Sequence, residues 1–194
     1  MFFNSLSYFC ELENDGVRSD PNEGNSVYRP TEGLELHNLT ENRKSVAPHT
    51  SFEATARQDE IFVFCVSRVL SDELREKFGR SCVEIRKIAT FIARLQNALP
   101  STATFIPRRV KYYDETEGPD ARYALPDLIA TSKFKTYKWQ EEYRFLYCLT
   151  DALEFENASY QLVIGPKPAP PAKRNEYPHQ LVKTRDLRDI CHMV

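Results

Sequence analysis

Two hydrophobic periods alternate along this chain, and they place most of its elements. Ile61–Ser67 is apolar at almost every position, the pattern of a strand buried on both faces and central in a sheet. Around Trp139–Leu149 the period is two. Gln140, Glu142, Arg144, Leu146 and Cys148 fall on one face, and Glu141, Tyr143, Phe145, Tyr147 and Leu149 on the other. Lys87–Leu99 follows the helical period, with Ile88, Phe91, Ile92, Leu95, Ala98 and Leu99 on one side and Pro100 as the stop. Ser71-Asp72-Glu73 opens a second helix that Gly79 ends. Pro126 opens a short helix over Leu125–Ser132.

Weaker patterns fill the rest. Phe2-Phe3 leads into a short helix capped by Asn4 or Ser5, with Leu6, Phe9, Cys10 and Glu13 at helical spacing. Val27–Arg29, Leu34–His37 with Lys44–Ala47, Arg109–Tyr113, Tyr160–Ile164 and His179–Lys183 read as strands, and Ser81–Ile85 as a buried one. His49–Glu60 is polar and ambiguous. Leu187–Met193 is a closing element, and residues 166–176 form a proline-rich, basic loop. Strands and helices mix without strict alternation. The pattern predicts one α+β domain over residues 1–194, with a mostly antiparallel central sheet flanked by two or three helices.

Composition narrows the classes. The 194 residues suit one domain, and 41% hydrophobic residues suffice for a core. A formal charge of -2 disfavours non-specific binding to phosphate backbones. The five cysteines are odd in number and none lie at C-x-x-C spacing, so a reduced protein without structural zinc is expected. The four histidines are scattered, and no metal is expected. No apolar run approaches the ~18 residues of a membrane span, and Met1–Cys10 lacks the basic start of a signal peptide. A cytoplasmic location without membrane contact follows as the expectation.

The candidate chemistry concentrates near Glu142. A carboxylate and a guanidinium entering an apolar strand need partners, because isolated buried charge is costly. Gln140 and Glu142 have a Q-x-E spacing. That spacing resembles the one at the catalytic strand of ADP-ribosyltransferases; the resemblance implies cleavage of the bond between nicotinamide and ribose, where a carboxylate stabilises positive charge on the sugar and its neighbour positions the acceptor. The competing reading is an ion pair between Glu142 and Arg144 or another cation. Arg18, Asp20 and Glu23 crowd the turn Arg18–Gly24, which either holds a ribose or phosphate or satisfies its own backbone as an Asx-turn. Ser67 and Arg68 end the central strand, placed for a ribose and a phosphate, or Ser67 caps the turn toward Ser71. Lys133, Lys135 and Lys138 interleave with aromatics, and Arg108, Arg109 and Lys111 form a second basic run. Together they offer a nucleic-acid patch or a solvated face. Walker, G-x-G-x-x-G, G-x-S-x-G and H-E-x-x-H motifs are absent from the sequence.

Five short segments together resemble a broad family of uncharacterised bacterial proteins. They are Asp20-Pro21-Asn22-Glu23, Cys65-Val66-Ser67, Cys82-Val83-Glu84, Val110-Lys111-Tyr112, and the block from Lys135 through Trp139 and Gln140 to Glu142-Tyr143-Arg144. Their order matches over roughly two thirds of the chain. That family looks similar to ADP-ribosyltransferase-type domains met in mobile-element and phage-defence settings. The resemblance implies action on NAD, with Glu142 and Gln140 catalytic and Arg18, Asp20, Ser67 and Arg144 holding the cofactor. The chain departs from the pattern at Ser19, where an asparagine is expected. It also begins almost at the Asp20 loop, where a preceding strand is expected. If that strand supplies the cofactor clamp, the chain is instead an inert interaction module that binds and blocks a nucleic-acid-processing or defence complex. A third expectation is a nuclease using Asp20, Glu23 and Glu142 with a divalent ion.

Overall fold

A computed structural model of the chain describes residues 1–11, 17, 19–165 and 174–194. The first half carries β1 (Phe2–Ser5), α1 (Leu6–Glu11), β2 (Asn25–Tyr28), β3 (Leu34–Asn38), β4 (Arg43–Ala47), β5 (Thr50–Thr55), β6 (Phe62–Ser67), α2 (Asp72–Phe78), β7 (Val83–Ile85) and α3 (Ile88–Ala98). The second half carries β8 (Thr104–Arg109), β9 (Lys111–Tyr113), α4 (Pro126–Ile129), β10 (Ser132–Phe134), β11 (Glu142–Cys148), β12 (Ser159–Ile164), β13 (His179–Leu181) and β14 (Cys191–Met193). The class is α+β, as the hydrophobic pattern predicts.

The main sheet runs β13-β1-β6-β11-β8 with every neighbouring pair antiparallel. β6 and β11 occupy its middle, which is why their apolar residues can be buried on both faces. β8 forms one edge, and there Pro107 pairs with Phe145 without a central ladder losing a donor. That proline hides Thr104–Arg109 from a pattern search, which finds only Arg109–Tyr113. The Phe2–Ser5 segment, expected only to lead into a helix, is a strand held between β13 and β6. The helix starts behind it at Leu6, whose N–H donates to the Ile61 carbonyl. A strand therefore does precede the Asp20 loop, contrary to the reading of the sequence.

The register sorts side chains onto two faces. Asn4 lies opposite Val63, Arg144 opposite Cys65, Glu142 opposite Ser67 and Leu146 opposite Val63, so all of these share one face. That face packs Leu6, Ile61, Val63, Ile129, Leu146 and Cys148 into one core. The other face packs Phe3, Phe62, Phe145 and Tyr147 against Phe91 and Leu95 of α3 and against Val182 and Ile190. Rings meet there edge-on and offset, as quadrupoles favour: Phe3 and Tyr147 cross at 77°, and Phe91 and Phe145 sit 5.3 Å apart.

A second antiparallel sheet runs β12-β5-β2. Its middle strand comes from the polar stretch that hydrophobic pattern leaves ambiguous. Polar partners explain its burial: Glu53 accepts Asn25 Nδ2 at 2.9 Å and Ser51 Oγ at 3.4 Å. β3 and β4 form a hairpin, as expected, and β9 and β10 a short parallel pair. Ser81–Ile85, expected as a buried strand, shortens to β7, pairs with β14, and leaves Val83 exposed. No helix among the described residues is long and apolar enough to cross a membrane.

Candidate functional site

Five of the six candidate site residues converge where β11 enters the main sheet. The sixth, Arg18, lies outside the described residues. A 3-10 turn over Lys135–Gln140 leads to Glu141, which adopts a left-handed φ of 43° before β11 begins at Glu142. Gln140 therefore joins Glu142 through this kink rather than through strand period. The kink is fixed outside: the Arg68 N–H donates to the Glu141 carbonyl at 2.9 Å, and their side chains pair at 3.2 Å.

The centre is a buried ion network. Arg144 donates to both oxygens of Glu23 as a fork, Nη2 to Oε2 at 2.8 Å, and Nε to Glu142 Oε2 at 2.8 Å. Its Nη1 also donates to the Ala130 carbonyl at 2.6 Å. Lys133 donates to Glu142 Oε1 at 2.8 Å and Gln140 Oε1 at 3.0 Å, and stands 3.7 Å from Glu23 Oε2. Gln140 Nε2 donates to the Val17 carbonyl at 2.8 Å. The Glu142 N–H donates to the Tyr112 hydroxyl at 2.9 Å.

The Asp20 loop presents Glu23 to this centre. Asp20 Oδ1 accepts the Asn22 N–H at 2.9 Å, the Asx-turn alternative, and the Glu23 N–H donates to the Asp20 carbonyl. Gly24 follows at φ +70°, where a Cβ would stand 3.0 Å from Gln58 Cγ and 3.1 Å from Leu6 Cδ1. Ser67 Oγ donates to the Gln140 carbonyl at 2.9 Å and accepts the Val69 N–H at 3.2 Å. Ser67 thus ties the turn and faces the same cavity as Gln140 and Glu142.

Three carboxylates meet two cations here, so one acid is in surplus. Burial, helped by neighbouring Glu23, pushes Asp20 up to about 6. Burial also pushes Glu142 up, but Arg144 and Lys133 outweigh it and hold its carboxyl at about 2. Burial pushes Lys133 down, yet Glu23 and Glu142 outweigh it and keep it charged. Glu142 is therefore a permanent anion near neutrality, able to stabilise positive charge and unable to donate a proton. Cys65 beside it is no nucleophile, because burial pushes its thiol up to about 12.

Two cavities open on this network. One, of about 260 Å³, has apolar walls from Val66, Val69, Leu70, Leu74 and Phe78 and polar groups from Ser67, Arg75, Gln140 and Glu142. The other, of about 300 Å³, is bordered by Asn4, Phe9, Phe64, Lys133 and Arg144. They share Cys65, Phe78, Gln140 and Glu142, so Glu142 stands between them. Their sizes are those of small-ligand subsites.

Several expectations shift. Lys133, read with Lys135 and Lys138 as a nucleic-acid patch, is buried under Tyr137, 5.0 Å from the ring centre, and serves the network instead. Nearby carboxylates draw it inward, which the surrounding polar residues give no sign of. Lys135 pairs with Glu117, Arg108 with Asp127 and Lys111 with Asp120, so the basic runs are largely matched on the surface. Arg144, expected at a phosphate, commits all three guanidinium nitrogens to Glu23, Glu142 and Ala130. Glu23 and Glu142 already hold cations, and the described residues contain no cluster of three or more side chains that could hold a metal ion. The inward role of Lys133 and the α2 wall escape sequence reasoning; Glu23 and Tyr112 carry a signal, as the last residues of the Asp20–Glu23 and Val110–Tyr112 segments. No family model, curated protein or solved structure matches the chain.

Proposed function

We propose that the chain is an ADP-ribosyltransferase-like domain that takes NAD in the paired cavities beside Glu142, as a cytoplasmic effector acting on a protein target. One observation carries this reading: Glu142 is an ionised carboxylate at the meeting point of two cavities. Transfer of ADP-ribose breaks the bond between the ribose and the nicotinamide nitrogen. The electron pair leaves with nicotinamide, and an acceptor's lone pair closes on the sugar as the acceptor loses a proton. Glu142 stabilises the positive charge that develops on the ribose. The apolar wall of Leu70, Leu74 and Phe78 suits the planar leaving group. Ser67 and Gln140 supply polar groups for ribose and acceptor, and Arg75 is the cavity-lining cation outside the network. The test is nicotinamide release from NAD by purified protein, with titration calorimetry for binding. Glu142→Gln is expected to abolish release while NAD still binds.

The second reading is an inert interaction module that binds and blocks a nucleic-acid-processing or defence complex. The observation favouring it is that both oxygens of Glu142 already accept from cations, as a purely structural ion pair would. It predicts no heat with NAD, no nicotinamide release, and a Glu142→Gln variant that differs from wild type only in melting temperature.

A further inference from the structure

We propose that β12 pairs antiparallel with β12 of a second copy of this chain, about a two-fold axis through Leu162. The proposal is independent of the NAD reading. β12 is the edge of the second sheet: its inner side is bonded to β5 over its whole length, and among the described residues no strand pairs with its outer side. Both ends are pinned, by Ser159 Oγ donating to the Thr55 carbonyl and the Gly165 N–H to the His49 carbonyl. It is therefore a formed template, paired along its whole length, rather than a fraying one.

Edge strands are normally blunted by charge, proline or a bulge. Ser159–Ile164 has none of these. Instead Tyr160, Leu162 and Ile164 stand in one row, 52%, 53% and 81% exposed. The row continues the core outward, for Tyr160 stacks on Phe52 at 6.0 Å and Phe52 on buried Tyr123 at 5.7 Å. An apolar layer thus runs from the interior to an open edge and stops.

The row selects its own copy as occupant. It is centred on Leu162, so a two-fold axis there places Leu162 against itself and Tyr160 against Ile164 of the other copy, twice. Aromatic against β-branched is a favourable cross-strand pair, and the even offset keeps both rows on the same face. An uncharged strand selects no oppositely charged partner. The contact is isologous and closes at two copies.

Sedimentation of the full chain over a concentration series tests this. Wild type should move from 22.5 kDa toward twice that mass as concentration rises. Leu162→Lys and Leu162→Glu, both at an exposed position, should each weaken the dimer about tenfold or more, because like charges then face one another on the axis. Mixing the two variants should restore it. Far-ultraviolet circular dichroism confirms that each variant is folded. A wild type that stays monomeric throughout, a dimer indifferent to both variants, or a mixture that stays monomeric each overturns the proposal.

Discussion

The two faces of β11 solve the same problem by opposite means. On one face Tyr143, Phe145 and Tyr147 pack rings against Phe62, Phe64, Phe91 and Phe105. On the other, Glu142 and Arg144 are as deeply buried, yet they are held by Glu23, Lys133 and a backbone carbonyl. The aromatic face gains from apolar area removed from water and tolerates small changes of shape. The ionic face gains little in total, because desolvation offsets attraction, but it fails sharply when one member is lost. Stability on the first face is spread out. On the second it is concentrated in a few atoms and depends on protonation.

The largest test removes the fork. Arg144→Met leaves Glu23 and Glu142 in the interior with Lys133 as their one remaining cation in this network, and should cost about 3–5 kcal/mol at pH 7. The loss should shrink near pH 4.5, because Glu142, without the guanidinium that holds its carboxyl low, takes up a proton more readily there. Urea unfolding at the two pH values measures it. Phe145→Ala on the opposite face should cost about 3–4 kcal/mol by opening a cavity. Its loss should be the same at both pH values; a matching pH response would erase the distinction between the faces.

Acid sharpens the comparison further. Glu142 is depressed from 4.5 to about 2 in the fold. Its contribution is fully present above pH ~4.5 and is lost as pH falls through about 2, a span worth roughly 3 kcal/mol. Glu142→Gln should remove this acid limb from the pH–stability curve. Asp20 has the opposite sign, being raised from 3.8 to about 6. It favours the fold below pH ~4 and loses that advantage as pH rises through about 6. Asp20→Asn, which keeps an oxygen for the Asn22 N–H, should therefore match wild type near pH 4 and exceed it by about 3 kcal/mol at pH 7.5. The smallest effect belongs to the aromatic side, where Leu95→Met in α3 should cost less than about 1.5 kcal/mol at any pH.

What could be read in advance tracks how local the cause is. α2 is legible because Ser71 caps it through the Leu74 N–H at 3.2 Å and Gly79 ends it. α3 is legible from a stripe whose members Phe91 and Leu95 are buried. β1 is not, since four residues become a strand only by lying between two others distant in sequence. β5 is not, since Glu53 enters the interior only with Asn25 beside it. At the site, the shared face of Glu142 and Arg144 follows from period two, and Ser67 follows from the end of an apolar run. Lys133 could not be found this way, because its neighbours in sequence describe a solvated basic run.

The sequence by itself therefore determined the α+β class, the central strands and the position of an acid beside an arginine at the mouth of β11, because spacing and chirality act within a few residues. The tertiary structure alone decided that Glu23 closes on Arg144 across 121 positions, that Lys133 turns inward, and that β12 is left as an open edge. Those outcomes depend on which groups meet when distant segments pack. Charge neutralisation in the interior and ladder pairing at an edge are properties of the assembled neighbourhood rather than of any window of the chain.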